Sequence, residues 1–240
     1  MPAGLDGNPS PIRTFDRDAV LNVVADRVCS VDCRRVLVGI DGRSGSGKST
    51  FADELAAHLG QRGRAVIRST TDSFHRPREE RLARGTTSAD GYYLDSHDLD
   101  RIATELLIPF RDGADQVLVA AFDEPTNTAC EETANVATDA VLVFDGLFLH
   151  RPEFAAAWDV SVYLDADERR EAEWLQYLLA DLPDYVLERA VELDRRLNTA
   201  RWPRYRHGWD LYIGDAAPHS RATVVVDNND FAHPRLLEAT

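Results

Sequence analysis

The segment Gly42–Ser49, with the sequence GRSGSGKS, constrains this chain more than any other part of it. It matches the phosphate-binding loop pattern G-x-x-x-x-G-K-[ST] at every fixed position. An apolar run at 35–41 precedes it and predicts a buried strand, and residues 50–59 follow it with apolar positions at helical spacing. A strand, a glycine-rich loop and a helix N-terminus form an anion site, because backbone N–H groups and the helix dipole attract negative charge. The alternative is a glycine-rich turn without a ligand.

The side chains of this loop predict how a nucleotide would be held. Lys48 is expected to reach its terminal phosphates, and the Ser49 hydroxyl is expected to bind Mg²⁺. The residues predicted to bind the nucleotide are Gly42, Ser44, Gly45, Ser46, Gly47, Lys48, Ser49 and Thr50.

The length and net charge of the chain limit the domain organisation and the binding partners that we expect. The chain has 240 residues and a formal net charge of −14, which suits one acidic α/β domain. Such a surface disfavours nucleic acid and anionic membranes. No run of 18 apolar residues predicts a membrane span. We expect residues 1–14 to form a flexible tail and 15–240 a single domain, and whether it forms a homo-oligomer is left open.

The N-terminal segment and the cysteines indicate the same cellular compartment. The N-terminal segment has neither a basic region nor an apolar region, so no secretory signal is expected. The three cysteines, Cys29, Cys33 and Cys130, are an odd and sparse set that suggests a reducing compartment. We therefore expect a cytoplasmic protein whose thiols are buried or idle.

Apolar strands alternate with helical patterns along the chain, which predicts an α/β fold with a parallel sheet covered on both faces. Residues 73–98 are predicted to form an ordered functional loop. Further strands are predicted at 65–72, 116–122, 140–145, 160–165 and 222–227. Further helices are predicted at 16–29, 98–109, 168–180 and 183–197.

Two aspartates follow predicted strands, at the sheet edge where ligands of such folds bind. Asp145 ends the apolar run Val141–Phe144, which is the pattern of a Walker B strand whose carboxylate supports Mg²⁺. Asp72 ends the second strand, where a carboxylate could accept the proton of an attacking hydroxyl or support Mg²⁺ through water. For both residues the alternative is an aspartate that caps a turn.

Taken together, these motifs resemble those of the uridine kinase and phosphoribulokinase family. The likeness covers about 35–165, with a weaker echo at 218–228. The motifs that carry it are Gly39–Thr50, Asp72–Phe74, the DGYYLD stretch at 90–95 and Val143–Gly146.

The resemblance implies a P-loop kinase fold, a three-layer α/β sandwich around a mainly parallel five-stranded sheet. It also implies a small β-hairpin insertion at about 110–137, which covers the acceptor site, and a helical lid at about 166–212. The implied reaction transfers the γ-phosphate of ATP, with Mg²⁺, to a hydroxyl of a small molecule.

Position by position, the resemblance makes Asp72 the catalytic base and places Asp145 where the uridine kinases have a metal-supporting glutamate. Asp95 matches an aspartate that holds ribose hydroxyls. Tyr93 shares that motif and joins the predicted acceptor site. Phe122 matches an aromatic residue that packs near the base.

The departures from the family pattern concern the acceptor. His75 stands where uridine kinases have a tyrosine, and Asn127 is the nearest match to a base-reading histidine. His75 is either an acceptor contact or an exposed loop residue. The family's lid arginines correspond to Arg169 and Arg170. A later basic and aromatic segment at 201–212, which includes Arg204 and Arg206, either closes over the site or forms a solvated helix face.

Three functions are compatible with this pattern. The first is a kinase for a nucleoside hydroxyl, and the second is the same phosphotransfer to a sugar phosphate, a pantothenate-like acid or a related metabolite. The third is a nucleotide-binding regulatory protein without acceptor chemistry, against which the intact Asp72 argues.

Overall fold

The computed structural model describes residues 16–154, 156–170 and 203–237. Its strands are β1 (Val36–Gly42), β2 (Val66–Thr70), β3 (Gln116–Asp123), β4 (Thr128–Asn135), β5 (Val141–Gly146), β6 (Val160–Asp165), β7 (Val224–Asp227) and β8 (Arg235–Leu237). Six of them form one sheet in the order β2–β5–β1–β6–β7–β8, and β3 and β4 form a separate antiparallel hairpin. Within the main sheet only β8 runs antiparallel to its neighbour.

Helices cover both faces of this sheet. They are α1 (Arg17–Cys29), α2 (Lys48–Gln61), α3 (Arg78–Arg81), α4 (Ala89–Asp95), α5 (Leu99–Arg101), α6 (Ile108–Asp112), α7 (the helical residues 203–216) and α8 (Pro218–Arg221). The π-helical residues Ile102–Leu107 join α5 to α6, and Thr71–Phe74 form a 3₁₀ turn after β2. In the parts of the chain described, no helix is both long enough and apolar enough to cross a membrane.

The alternation of side chains along the central strands explains why helices cover both faces. All seven residues of β1 are buried. Val36, Val38 and Ile40 pack with α1 and α2, whereas Leu37 packs in the opposite layer with the helical residues 102–110. Because consecutive residues of a strand point to opposite faces, an unbroken apolar run requires a layer on each side.

The predicted fold class is confirmed, with one addition and one correction. Five parallel strands and the hairpin are present as predicted, and the short strand β8 adds an antiparallel edge that the sequence pattern did not predict. The segment 73–98 is not simply a loop, because it contains α3 and α4. The predicted helices at 168–180 and 183–197 lie almost entirely outside the described residues.

The 3₁₀ turn that follows β2 packs very closely against Gly146 at the end of β5. A Cβ atom on Gly146 would lie 2.1 Å from Oγ1 of Thr71, which belongs to the 3₁₀ turn. The same Oγ1 accepts a hydrogen bond from the backbone N–H of Leu147 at 3.3 Å. Only glycine allows this approach, which fixes the residue that precedes Asp72 against the carboxyl end of β5.

We predict that Gly146→Ala lowers the free energy of unfolding by about 1–3 kcal/mol, because the added methyl group overpacks the contact with Thr71. Urea unfolding followed by circular dichroism measures this change. The matched control is Gly60→Ala in α2, where an added Cβ meets nothing within 4 Å. We expect that control to gain up to about 1 kcal/mol from helix propensity, and equal stability of the two variants would contradict the steric argument.

Candidate active site

The phosphate loop lies between the end of β1 and the start of α2, as predicted. Gly47 precedes α2 with φ of 83°, in the left-handed region that favours glycine. The buried side chain of Asn228, just after β7, donates from Nδ2 to the carbonyl of Ser46 at 2.7 Å. The loop is therefore held from behind by a residue far away in sequence.

A cavity of about 240 Å³ opens in front of this loop. Six of the eight predicted nucleotide-binding residues line it: Ser44, Gly45, Gly47, Lys48, Ser49 and Thr50. Gly42 and Ser46 are not in its lining and are both buried. Lys48 Nζ donates to the carbonyl of Arg43 at 2.9 Å. The other lining residues are Thr70, Asp72, Asp145, Gly146, Leu147 and Phe231.

A hydroxyl and a carboxylate meet at the edge of this cavity. Ser49 Oγ donates to Asp145 Oδ2 at 2.8 Å, and Asp145 is only 1% exposed. Hydroxyl and carboxylate oxygens are the ligands that Mg²⁺ prefers. Two of the three residues predicted to support the metal ion are thus brought together, and their chemistry fits that ion; the third, Asp72, lines the same cavity.

Arg68 was not predicted, although it supports Asp145. Its Nη2 atom donates to Asp145 Oδ1 at 2.8 Å, and its Nη1 atom donates to the carbonyl of Val143 at 2.7 Å. Because Asp145 is buried away from solvent, the guanidinium of Arg68 compensates the charge of its carboxylate. The available signal was an arginine inside the apolar strand β2, in register with Val143 of β5.

A larger cavity of about 800 Å³ adjoins the first. Five predicted site residues line it: Asp72, His75, Phe122, Asn127 and Arg204. Asp72 and Leu147 line both cavities, so the exposed Asp72 carboxylate lies where they meet. Asn127 Oδ1 accepts from the backbone N–H of Arg78 at 2.8 Å, which ties the tip of the hairpin to the start of α3.

Two predicted acceptor residues lie elsewhere. Asp95 accepts a hydrogen bond from Arg84 Nε at 2.7 Å and is not among the described residues that line the larger cavity. Tyr93 is buried in an aromatic cluster, and its hydroxyl donates to Asp215 at 2.6 Å. Burial and Asp215 hold the pKa of Tyr93 above its usual value. Its neighbour Tyr92 lines the cavity instead.

Arginines contribute more to the larger cavity than the sequence indicated. Arg78 and Arg81 line it beside Arg204. Arg81 forms an ion pair with Glu124 of the hairpin at 3.1 Å. Arg204 is 5% exposed, and its guanidinium donates to the carbonyls of Gly85 and Arg81 at 3.3 and 3.4 Å.

The remaining predicted lid arginines differ in position. Arg169 is exposed and pairs with Asp167 at 2.7 Å, and Arg206 is exposed on α7 outside both cavity linings. Arg170 lies over the ring of Phe231, with 4.5 Å between the guanidinium and the ring centre. Phe231 lines the smaller cavity. Arg170 therefore contacts a residue of the cavity lining. Residues 171–202 of the predicted lid lie outside the described residues.

A buried polar network fixes α7 to the base of the phosphate loop. Asp41, the penultimate residue of β1, accepts from His150 Nδ1 at 2.6 Å and from the hydroxyl of Tyr212. Its other oxygen accepts from the backbone N–H of Gly42 at 2.7 Å. Burial and the Asp41 carboxylate hold the pKa of Tyr212 well above its usual range, so the hydroxyl remains a donor.

Two histidines meet beside Asp72, and one of them was missed. The rings of His75 and His97 are 4.6 Å apart between their centres. His97 is 3% exposed, and its Nε2 atom has no hydrogen-bond partner in the part of the chain that the structure describes. Burial, together with His75, Arg151 and Arg81, holds the pKa of His97 well below its usual range, so the imidazole is neutral at pH 7.

Comparison with known proteins shows what this chain is similar to. The family model described as "Phosphoribulokinase / Uridine kinase family" matches residues 37–184. A curated relative, the uridine kinase of Leuconostoc citreum, is 25% identical over 171 residues, which cover 71% of this chain and 79% of that protein.

Solved structures show the same fold. A possible uridine kinase from Bacillus stearothermophilus superposes with a TM-score of 0.66 at 22% identity, covering 87% of this chain and 97% of that one. A proposed fructose transport system kinase from a Silicibacter species superposes with a TM-score of 0.58 at 26% identity, covering 78% and 96%.

We predict that Arg68→Met lowers the free energy of unfolding by about 1–3 kcal/mol, because it leaves the buried Asp145 carboxylate without its cation. This value is below that of a fully buried pair, since the Arg68 side chain is 27% exposed. Thermal and urea unfolding would measure the loss. The control is Arg101→Met, which removes surface ion pairs with Glu105 and Glu131 and should cost less than about 1 kcal/mol. Similar losses in the two variants would contradict a special role for Arg68.

Proposed function

We propose that this chain, which belongs to the phosphoribulokinase and uridine kinase family, uses ATP and Mg²⁺ to phosphorylate a hydroxyl group of a nucleoside. Its family and its relatives make it a P-loop kinase with an alcohol as acceptor. One observation carries the finer proposal: Asp72 lines both the phosphate-loop cavity and the larger cavity. A base placed there faces a phosphate on one side and an acceptor on the other.

Each site residue has a separate role in the proposed reaction. Lys48 and the loop N–H groups hold the terminal phosphates, while Ser49 and Asp145 would hold Mg²⁺, which supplies positive charge near the transferred group. Asp72 orients the acceptor hydroxyl and accepts its proton. The acceptor oxygen forms a bond to the γ-phosphorus, the bond between this phosphorus and the bridging oxygen breaks, and ADP leaves.

The larger cavity supports an acceptor with a flat ring. Phe122 and Tyr92 contribute aromatic surfaces to its lining, against which a nucleobase could stack. Ser96 and Asn127 add polar groups to the same lining. The curated relatives named as uridine kinases favour the same class of acceptor.

A second candidate is an acceptor that carries a phosphate or carboxylate group. Arg78, Arg81 and Arg204 line the larger cavity, and arginine is well suited to bind both groups in a bidentate manner. The similarity to a proposed fructose transport system kinase is compatible with a sugar-derived acceptor. A cytoplasmic location and the lack of a nucleic-acid partner remain predictions from the sequence.

We predict that Asp72→Asn lowers kcat by about 10²–10⁴-fold, the usual contribution of a general base. Binding of a fluorescent ATP analogue should change little, because the phosphate loop is intact. Production of ADP in the presence of the best acceptor measures kcat. Asp112→Asn is the control, since Asp112 is exposed and lies outside both cavity linings. If Asp72→Asn kept kcat within about tenfold of the parent, Asp72 would not be the base.

A panel of acceptors separates the candidate functions. It contains nucleosides, sugars, sugar phosphates and hydroxy acids, each tested for acceptor-dependent production of ADP. Turnover confined to nucleosides supports the proposal, whereas turnover confined to anionic acceptors supports the second candidate. Tight binding of ATP without phosphorylation of any compound would favour a regulatory protein without acceptor chemistry.

A further inference from the structure

The cluster formed by Asp72, His75 and His97 offers more than a catalytic base. Each of the three residues has one potential ligand atom, and these atoms lie within 4.8 Å of one another. His75 and His97 are brought together by an isolated antiparallel bridge between their backbones. The cluster therefore depends on the fold and not on a local sequence motif.

Each neutral imidazole has one ring nitrogen with a lone pair that can bind an ion. His75 Nδ1 lies 3.0 Å from the backbone carbonyl of Asp72. A carbonyl can only accept, so in the neutral form of His75 this nitrogen carries the proton and Nε2 has the lone pair. Nε2 of His97 is buried and, among the described residues, has no hydrogen-bond partner, which is unusual for a polar atom in a folded protein.

We propose that Asp72, His75 and His97 form a binding site for a divalent transition metal ion of the zinc class. Two imidazoles and one carboxylate are a common ligand set for Zn²⁺. Ligand atoms around a tetrahedral zinc ion lie about 3.4 Å apart, given Zn–N distances of roughly 2.0–2.1 Å. The present spacing is up to 4.8 Å, so binding would require these side chains to approach one another by up to about 1.4 Å.

The ligand chemistry separates this site from the Mg²⁺ site at the phosphate loop. Ser49 and Asp145 offer only oxygen atoms, which suit Mg²⁺. Imidazole nitrogen selects Zn²⁺, Co²⁺, Ni²⁺ or Cu²⁺ over Mg²⁺. Excess Mg²⁺ should therefore compete poorly for the histidine cluster.

A bound ion would act on the kinase reaction through Asp72. This consequence rests on the proposed function, in which the Asp72 carboxylate accepts the proton of the acceptor hydroxyl. A carboxylate that ligates Zn²⁺ is a weaker base, because the charge of the ion opposes protonation. Because Asp72 and His75 also line the larger cavity, the ion would lie at its wall, beside the acceptor. Occupancy would therefore inhibit phosphotransfer.

Metal binding can be measured without any kinase assay. The test uses the full chain with Cys29, Cys33 and Cys130 replaced by serine, because Cys29 and Cys33 are exposed thiols that could bind zinc and Cys130 is partly exposed. Zinc chloride is titrated by calorimetry without nucleotide and with excess Mg²⁺, and cobalt chloride is titrated by visible absorption. We expect one ion per chain and a cobalt spectrum typical of nitrogen and oxygen ligands.

The variants His75→Gln and His97→Gln should each weaken zinc binding by at least about tenfold, the minimum loss seen even when a partner outside the ligand set is removed. Far-ultraviolet circular dichroism checks folding, and His75→Gln keeps the test valid should the buried His97 variant unfold. The control is His233→Gln, an exposed histidine that pairs with Asp230 at 3.2 Å and forms no such cluster with the other described residues. Absence of binding, or binding unchanged in both cluster variants, would overturn the site.

Inhibition is tested separately, with each protein compared with its own activity in the absence of zinc. Buffered Zn²⁺ should lower the kcat of the parent by about 100-fold or more, as expected when a general base is blocked, and His97→Gln should resist this effect. Histidine-dependent binding without inhibition would overturn the effect on Asp72. A parent that phosphorylates nothing would refute the proposed function, and the binding titration would still decide the metal site.

Discussion

The parallel pairing of β5 between β1 and β2 is the constraint on which both cavities depend. Asp145 is in register with Ile40 of β1 and with Thr70 of β2. The phosphate loop follows β1 and Asp72 follows β2, so this register places that loop and the carboxylates of Asp145 and Asp72 at one edge of the sheet. A shift by one residue would turn Asp145 to the opposite face of the sheet. The buried hydrogen bond between Ser49 and Asp145 and the close contact at Gly146 both require the observed register.

This dependence explains which site residues were predictable. The phosphate loop is contiguous in sequence, so its pattern defines its structure almost alone. Asp72 and Asp145 are distant in sequence, but each follows an apolar strand, and a parallel sheet brings such ends together. To predict that these two aspartates lie close together, it was enough to recognise two parallel strands and the residue at the end of each. Arg68 reaches Asp145 from the middle of β2, and strand-end reasoning could not place it.

Most of the differences between the predicted and the observed site residues depend on which face of a helix each residue occupies. The DGYYLD stretch was treated as part of a loop, yet it lies in α4. Tyr92 of this helix and Ser96, the residue directly after it, are four residues apart and share the face that lines the larger cavity. Tyr93 points away on that helix and joins the aromatic cluster. Likewise, Arg204 lines the cavity and Arg206 does not, because two residues turn an α-helix through about 200°. Knowing the phase requires the structure, since apolar periodicity is weak in short polar helices.

The charge of the larger cavity bears on the choice of acceptor. The chain is acidic overall, with a net charge of −14, whereas the cavity lining contains three arginines among its carboxylates. Arg81 is already paired with Glu124, and Arg204 donates to backbone carbonyls. Both guanidiniums therefore organise the cavity walls, and an anion bound to Arg204 would have to displace its backbone partners. Among the described residues, Nε of Arg81 is buried without a hydrogen-bond partner, so it would be available to donate to an anionic acceptor, whereas a neutral acceptor would use the aromatic surfaces and polar groups of the same lining.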